Sequence, residues 1–463
     1  MTGEGLAARL SPSRISTRPE IAGTTETGEM TDTGIGAPDQ QALWIAPQIP
    51  GKYEIIPIHN SDRASFKRCR RYFDWTSPAR QSLSLRTDIN GVNTDLWFGT
   101  GIHWALEQYY NPGLRHDPVE AWKTWFDIQW RGGVVTAEWL DLVYDLNPQP
   151  AHQIIVGHQT VGEFRDNPVW KVRGLEDIIP DADTDEFDEL LELGIRMMSF
   201  YKDYAQRHDG FEVLVTEHNF SVPVWDYENN CILTAIDLRE QSPNFGKKLE
   251  VHNRGRMDAI WAKPNGKLGV IDHKTSSRID EDFFEKLETD EQVTSYLYAA
   301  EVEAKYYGLS YAGQAMEECI YNVMRKAYPK PPTIVRGGLF SVDRQNESCT
   351  YNMLMEWMQE NSVEWETLSP TQQAYANHLA DLGDEQFIIR KHVRRNRHQL
   401  ANAGYRLYQE AMDMLNPNLQ IYPNLSNDFK CLRCQFRAPC LAREDGSDWE
   451  QMIRDNYTHQ RDR

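Results

Sequence analysis

The chain has 463 residues, 40% hydrophobic and 25% charged, with 14 Trp and 21 Tyr. That is ample material for a packed interior and enough length for about three average domains or one elaborated core. No apolar run approaches the roughly 18 residues a membrane span requires, and the first thirty residues lack the apolar stretch of a secretory signal, so a cytoplasmic protein without membrane contact is expected. A formal charge of −20 excludes phosphate binding through a global positive field. Local contact with a polyanion could come from Arg63, Lys67, Arg68, Arg70 and Arg71, or from Lys391, Arg394, Arg395 and Arg397, although such runs also serve as solvated faces.

Taken in chain order, residues 1–45 are poor in aromatics and rich in Thr, Gly, Ser and Glu, and read as a disordered leader. Residues 46–100 form an N-terminal segment. Residues 101–210 read as a helical region: a helix is expected to start at Thr100 as N-cap and run to Tyr110, followed by helices near Val119–Trp130 and Phe187–Tyr204. Over residues 211–345 the pattern turns to short β runs, Phe211–Val215, Asn219–Val224, Cys231–Ile236, Arg256–Ala262, Leu268–Lys274 and Glu317–Met324, with a helix at Glu291–Tyr307. Residues 346–416 hold helices near Tyr351–Glu360 and Arg397–Leu415, and 417–463 form a cysteine-bearing tail.

The most informative stretch is Arg254–Thr275, two apolar runs around an Asn265-Gly266 turn, which describes a β-hairpin. Asp258, Asp272 and Lys274 sit within these apolar runs, where a charge needs a partner or a metal. Asp272 and Lys274, two apart on a strand, share a face, while His273 points away. A two-residue loop would pair Asp258 with His273; an odd loop, with Gly266 left-handed, sets Asp258 opposite Asp272. The odd loop is expected. Two facing carboxylates then call for a hard cation, Mg²⁺ or Mn²⁺, and a neighbouring lysine suits phosphodiester hydrolysis. Without further context, an edge-strand salt bridge between Asp272 and Lys274, with Asp258 at a strand end, is the commoner account of a bare D-x-K pattern.

Context comes from five ordered elements: Phe66–Phe73 with Cys69, Gly99–Glu107 with His103, Gly255–Asp258 followed by Ile271–Thr275, Gln292–Tyr296, and Cys431-Leu432-Arg433-Cys434 with Cys440. Together they resemble the RecB-like nuclease family of the PD-(D/E)XK superfamily, in the iron–sulfur branch with the CRISPR-associated exonucleases and helicase-associated nucleases. The resemblance implies an α/β fold with a mixed central sheet, flanking helices, a helical insert and an iron–sulfur domain built from both chain ends. It also implies that His103, Asp258, Asp272 and the His273 carbonyl hold the metal, that Lys274 is catalytic, and that Gln292 and Tyr296 orient the substrate. Glu217 resembles an acidic position found ahead of the hairpin in this family.

Seven cysteines in a chain without a secretion signal favour metal binding over disulfides. The spacing of Cys431, Cys434 and Cys440 fits zinc or a [4Fe–4S] cluster; the resemblance favours the cluster and supplies Cys69 as fourth ligand. Cys231, Cys319 and Cys349 read as structural thiols. The expected function is a metal-dependent DNA exonuclease acting on single strands or ends, in recombination, repair or phage DNA processing. The chain has no ATP-binding G-x₄-G-K-[ST] motif, so a separate helicase or recombination partner fits. The alternatives are a non-catalytic DNA-end-binding subunit of the same fold and a zinc-stabilised RNA-processing protein.

Overall fold

In the computed structural model of the chain, the described residues are 50–51, 53–85, 94–112, 115–136, 159–162, 169–175, 184–277, 279, 285–287, 289–306, 316–335, 338–343, 348–425 and 429–459. The leader expected over residues 1–45 lies outside them. Residues Leu43–Arg463 belong to one compact unit, organised on a mixed seven-stranded sheet. Its long central member is β10 (Lys248–Ala262), an alternating run that pairs antiparallel with β6 (Glu212–Pro223) and β11 (Leu268–Ser276) and parallel with β1 (Ile55–Ile58). Beyond β11 follow β12 (Met316–Arg325), parallel to it, and β13 (Ile388–Arg394), antiparallel to β12.

Alternation along the strands sends side chains to two helical layers. Ala259, Trp261 and Ile271 pack in a core with Phe98 and Ile102 of α3 (Thr94–Tyr110), Trp122 of α4 (Pro118–Trp130) and Tyr201 of α5 (Thr184–His208). Ile260 and Val270 pack in a second core with Val293, Leu297 and Ala300 of α6 (Glu291–Tyr306), the helix of the β11-to-β12 crossover. Further α/β packing joins Ile56 and Ile58 of β1 to Leu407 and Ala411 of α9 (Arg397–Met414). Between β12 and β13, α7 (Tyr351–Glu360) and α8 (Pro370–Leu382) carry a core of their own around Phe340, Leu354 and Leu379. No helix among the described residues is long and apolar enough to cross a membrane.

Two local expectations are corrected. Thr100 is not an N-cap: α3 begins at Thr94, and the Thr100 hydroxyl donates to Leu96 O at 3.0 Å. Gly101 lies inside the helix and serves close packing, since an added Cβ would overlap the rings of Trp122 and Trp125; a Cβ on Gly194 of α5 would overlap Trp122 as well. Trp122 therefore fills the space between two glycines, and its indole N–H donates to Leu191 O at 3.0 Å. The second correction concerns Phe211–Val215 and Asn219–Val224, which are parts of the single strand β6. Buried polar residues in its middle broke the apolar pattern.

The hairpin loop is odd, as expected. The last pair is Ala262↔Leu268, five residues lie between, Gly266 N–H donates to Lys263 O, and Gly266 has φ +80°. Gly101→Ala is expected to destabilise the fold by about 1–3 kcal/mol through overpacking, although Gly→Ala within a helix is stabilising where space allows. Chemical denaturation reads the sign, and an unchanged or raised midpoint refutes the packing account.

Candidate active site

The site lies where the sheet opens. On one flank β10 pairs with β1 through Asn253 and again with β11 from Ala259, while β6 runs along the other flank. The first flank thus has no strand partner at residues 254–258 among the described residues. The register of β10 with β11 makes Asp258 and Asp272 the next pair beyond Ala259↔Ile271, and its register with β6 sets Glu217 opposite Asp258. One row across three strands therefore carries Glu217, Asp258 and Asp272. In place of a ladder bond, the His273 backbone N–H donates to Asp258 Oδ2 at 2.6 Å.

His103 reaches the row from α3, with Nδ1 3.4 Å from Asp258 Oδ2. Ligand atoms of His103, Glu217 and Asp258 all lie within 4.8 Å of one another. Asp272 stands beside this triad rather than in it: Lys274 Nζ lies 2.8 Å from its Oδ2, its side chain is 1% exposed, and its Oδ1 has no hydrogen-bond partner among the described residues. The structure thus brings His103, Asp258, Asp272 and Lys274 together and adds Glu217, whose role was not evident from sequence. Glu217 adopts φ +48°, a left-handed conformation uncommon for a residue with a side chain and typical of functional strain. Arg256 Nε lies 2.6 Å from Glu217 Oε2.

Burial of several carboxyls side by side sets the electrostatics. Burial pushes Asp272 up to about 6 against the opposing ammonium of Lys274, with Asp258 adding to the rise. It likewise raises Glu217, against Arg256. At Asp258 burial acts in the same sense, but His103 and Lys274 outweigh it and hold the carboxyl well below its usual range. Burial alone would lower Lys274, yet Asp272 and Asp258 raise it, so it stays an ammonium. His273 is lowered to about 3 by burial and is neutral.

Glu107 also belongs to this neighbourhood and was missed from sequence. Burial raises it to about 8, opposed by Arg256 and reinforced by Asp258, and its Oε1 has no partner among the described residues. Its place four residues after His103 on one helix was the available signal. Gln292 Nε2 donates to Tyr296 OH at 2.6 Å, while the Tyr296 ring packs edge-on against Phe220 in the α6 core. Asp290, also missed, accepts from Gln292 N–H at 2.6 Å and from Tyr321 OH at 2.8 Å, which ties the start of α6 to β12 beside Lys274.

Cys69 lies between α1 (Asn60–Arg68) and α2 (Arg70–Thr76), and Cys431, Cys434 and Cys440 lie on and between α10 (Phe429–Leu432) and α11 (Arg437–Asp445). All four are free thiols. Cys434 and Cys440 pack against Trp75, Phe436 and Tyr457, and both thiols are raised by burial, with Cys69 and Cys431 adding to the rise. Arg71 Nη1 lies 3.3 Å from Cys440 Sγ, and Asn424 N–H donates to Cys69 Sγ at 3.4 Å. Of the remaining thiols, Cys319 and Cys349 are buried, whereas Cys231 is exposed and does not fit a packing role.

Several residues of the two basic clusters pair within the chain, although Lys67, Lys391, Arg394 and Arg397 are exposed. Arg63 and Lys67 pair with Glu291 and Glu410, Arg71 with Glu444, Arg394 with Glu318, and Arg397 with Glu301.

No curated protein matches the sequence significantly. A family model, the PD-(D/E)XK nuclease superfamily, matches residues 61–441, a span that contains Cys69, His103, the carboxylate row, Lys274, Gln292, Tyr296 and Cys440. Members of that superfamily are generally metal-dependent nucleases. With most of its length matched and its carboxylates and lysine gathered where the sheet opens, the chain belongs to the PD-(D/E)XK nuclease superfamily.

Proposed function

We propose that the chain is a divalent-metal-dependent deoxyribonuclease with Asp258, Asp272 and Lys274 as its catalytic residues. The observation that carries this is their convergence with His103 at the opening between β1 and β11, around a buried Asp272 Oδ1 that has no hydrogen-bond partner among the described residues. Two or three carboxylates and one imidazole suit Mg²⁺ or, better, Mn²⁺, which tolerates nitrogen. His103, Asp258 and Asp272 would hold the ion, with the His273 carbonyl as a further donor and Glu217 from the neighbouring strand. When bound there, the ion lowers the pKa of a water and polarises the phosphorus centre.

The chain's own groups do the rest. Lys274, fixed by Asp272 and flanked by the Tyr321 ring at 5.8 Å, offers a permanent cation to the attacking water or to charge developing on the phosphate. Asp258 is kept ionised and oriented by the His273 N–H and by His103. Gln292 and Tyr296 orient the substrate from α6. The motif order supports action on DNA single strands or ends as an exonuclease in recombination, repair or phage DNA processing, with strand separation left to a helicase or recombination partner.

The thiols of Cys69, Cys431, Cys434 and Cys440 fit a [4Fe–4S] cluster that fastens the two ends of the chain. The cysteine-only donor set also suits zinc, so metal analysis decides between them. Trp75 and Leu83 before the core and Phe436 and Tyr457 after it already share one apolar cluster, which a bound cluster would lock.

Lys274→Ala is expected to lower Mg²⁺- or Mn²⁺-dependent cleavage of labelled DNA by about 10²-fold or more; cleavage at the parent rate overturns the assignment. Saturating Mn²⁺ should raise the melting temperature, since an ion at about 100 times its Kd adds about 2.7 kcal/mol to stability. That increment should vanish in Asp258→Asn, and its persistence there would place the ion elsewhere. Cys434→Ser should lose the visible absorbance and bound iron of the parent together with most soluble protein; a stable, fully active variant removes the clasp.

A further inference from the structure

His273 sits between Asp272 and Lys274, yet its ring lies on the opposite side of β11, in a buried polar chain that the nuclease motifs do not include. Asn322 of β12 faces it, with Nδ2 2.8 Å from His273 Nδ1 and 3.1 Å from Tyr201 OH. Arg390 of β13 donates through Nε to Asn322 Oδ1 at 3.1 Å and through Nη2 to the hydroxyls of Tyr110 and Tyr201, each at 3.2 Å. Its Nη1 pairs with Asp209 Oδ1 at 2.6 Å, and Asp209 Oδ2 accepts from Tyr110 OH at 3.1 Å. The Tyr110 ring stacks on His273, with centroids 5.8 Å apart and planes 17° from parallel.

The chemistry of the chain has one direction. A guanidinium only donates, so Arg390 obliges Asn322 to turn its carbonyl oxygen outward and its NH₂ towards His273. The imidazole must then accept at Nδ1 and carry its proton on Nε2, which agrees with the neutral state that burial imposes. A ring held in this way fixes the backbone of residue 273, whose N–H holds Asp258 and whose neighbours are Asp272 and Lys274.

We propose that Asn322, oriented by Arg390, is a positioning residue for the metal centre, acting through the His273 ring to set the backbone that holds Asp258, Asp272 and Lys274. The inference rests on the metal-dependent nuclease reading. Partners that orient the groups around a bound ion typically contribute 10–100-fold in affinity or activity. Residues from α3, α5, β11, β12 and β13 meet in this chain, so the helical layer and the far side of the sheet act on the site through one side chain.

The test uses full-length protein, with Mn²⁺ as probe. Asn322→Leu and His273→Phe break the same bond from opposite ends while preserving volume. In each folded variant, calorimetry should show Mn²⁺ affinity lowered about 10–100-fold, and kcat should fall while KM for DNA stays at the parent value. A folded variant with the parent's Mn²⁺ affinity and kcat overturns the proposal, as does a loss confined to KM. Imidazole nitrogen NMR of the parent needs no variant: the proton is expected on Nε2 of His273, and a protonated Nδ1 overturns the proposal even where neither variant folds. Failure of the nuclease reading looks different, because the parent itself would then neither bind Mn²⁺ nor cleave DNA with it.

Discussion

The interruption of the sheet beside β10 is the constraint on which the site depends. A strand paired on both flanks spends its backbone groups on its neighbours and offers only side chains to a ligand. Between Asn253 and Ala259 one flank of β10 has no such neighbour among the described residues, and the His273 N–H turns instead to the Asp258 carboxylate. A backbone donor aimed at a carboxylate favours its ionised form. The opening therefore leaves the middle of the sheet without a strand neighbour on this flank and frees a main-chain group to orient one of the acids. Glu217, in its left-handed conformation on the other flank, bends the third member of the row towards the same place.

Gathering acids in a buried row is costly, and the structure offsets that cost unevenly. Lys274 neutralises Asp272, Arg256 neutralises Glu217, and His103 stands against Asp258. Glu107 Oε1 has no hydrogen-bond partner among the described residues, and burial raises the carboxyl to about 8, so it is protonated near neutrality. A site with more buried acid than protein cation is a site adapted to a further positive charge. The surplus sits beside the His103, Glu217 and Asp258 ligand atoms, so the imbalance and the ligand geometry point to one location by independent arguments.

Much of this was legible in the sequence because strand periodicity is a strict rule. Spacing alone put Asp272 and Lys274 on one face, and an odd loop or an equivalent bulge was needed for Asp258 to join them; the shared face and the odd loop at Lys263–Lys267 are both found. What could not be read were features without a sequence period. Thr216, Glu217 and His218 interrupted the apolar pattern of β6, so its continuity was missed together with the placement of Glu217. The start of α3 was expected at Thr100, and no sequence period reveals the tryptophans seated against Gly101. The ion-pair partners of the basic clusters, Glu291, Glu301, Glu318, Glu410 and Glu444, could not be read either, because they are remote in sequence.

The close packing of α3 bears directly on the chemistry. His103 can approach Asp258 only if its helix lies low over the sheet, and Gly101, two residues earlier, is where α3 meets Trp122 without a side chain between them. Trp122 in turn is seated on Gly194 and bonded to Leu191 of α5, and Tyr201 and Tyr110 from the same two helices anchor the Arg390 chain. The helical layer therefore meets the site twice, once through the imidazole of His103 and once through that of His273, and the two rings meet edge to face 6.1 Å apart. A displacement of that layer would move the imidazole beside Asp258 and the backbone beneath it in concert. This is why residues with no charge and no motif belong to the physical account of how the carboxylates are held.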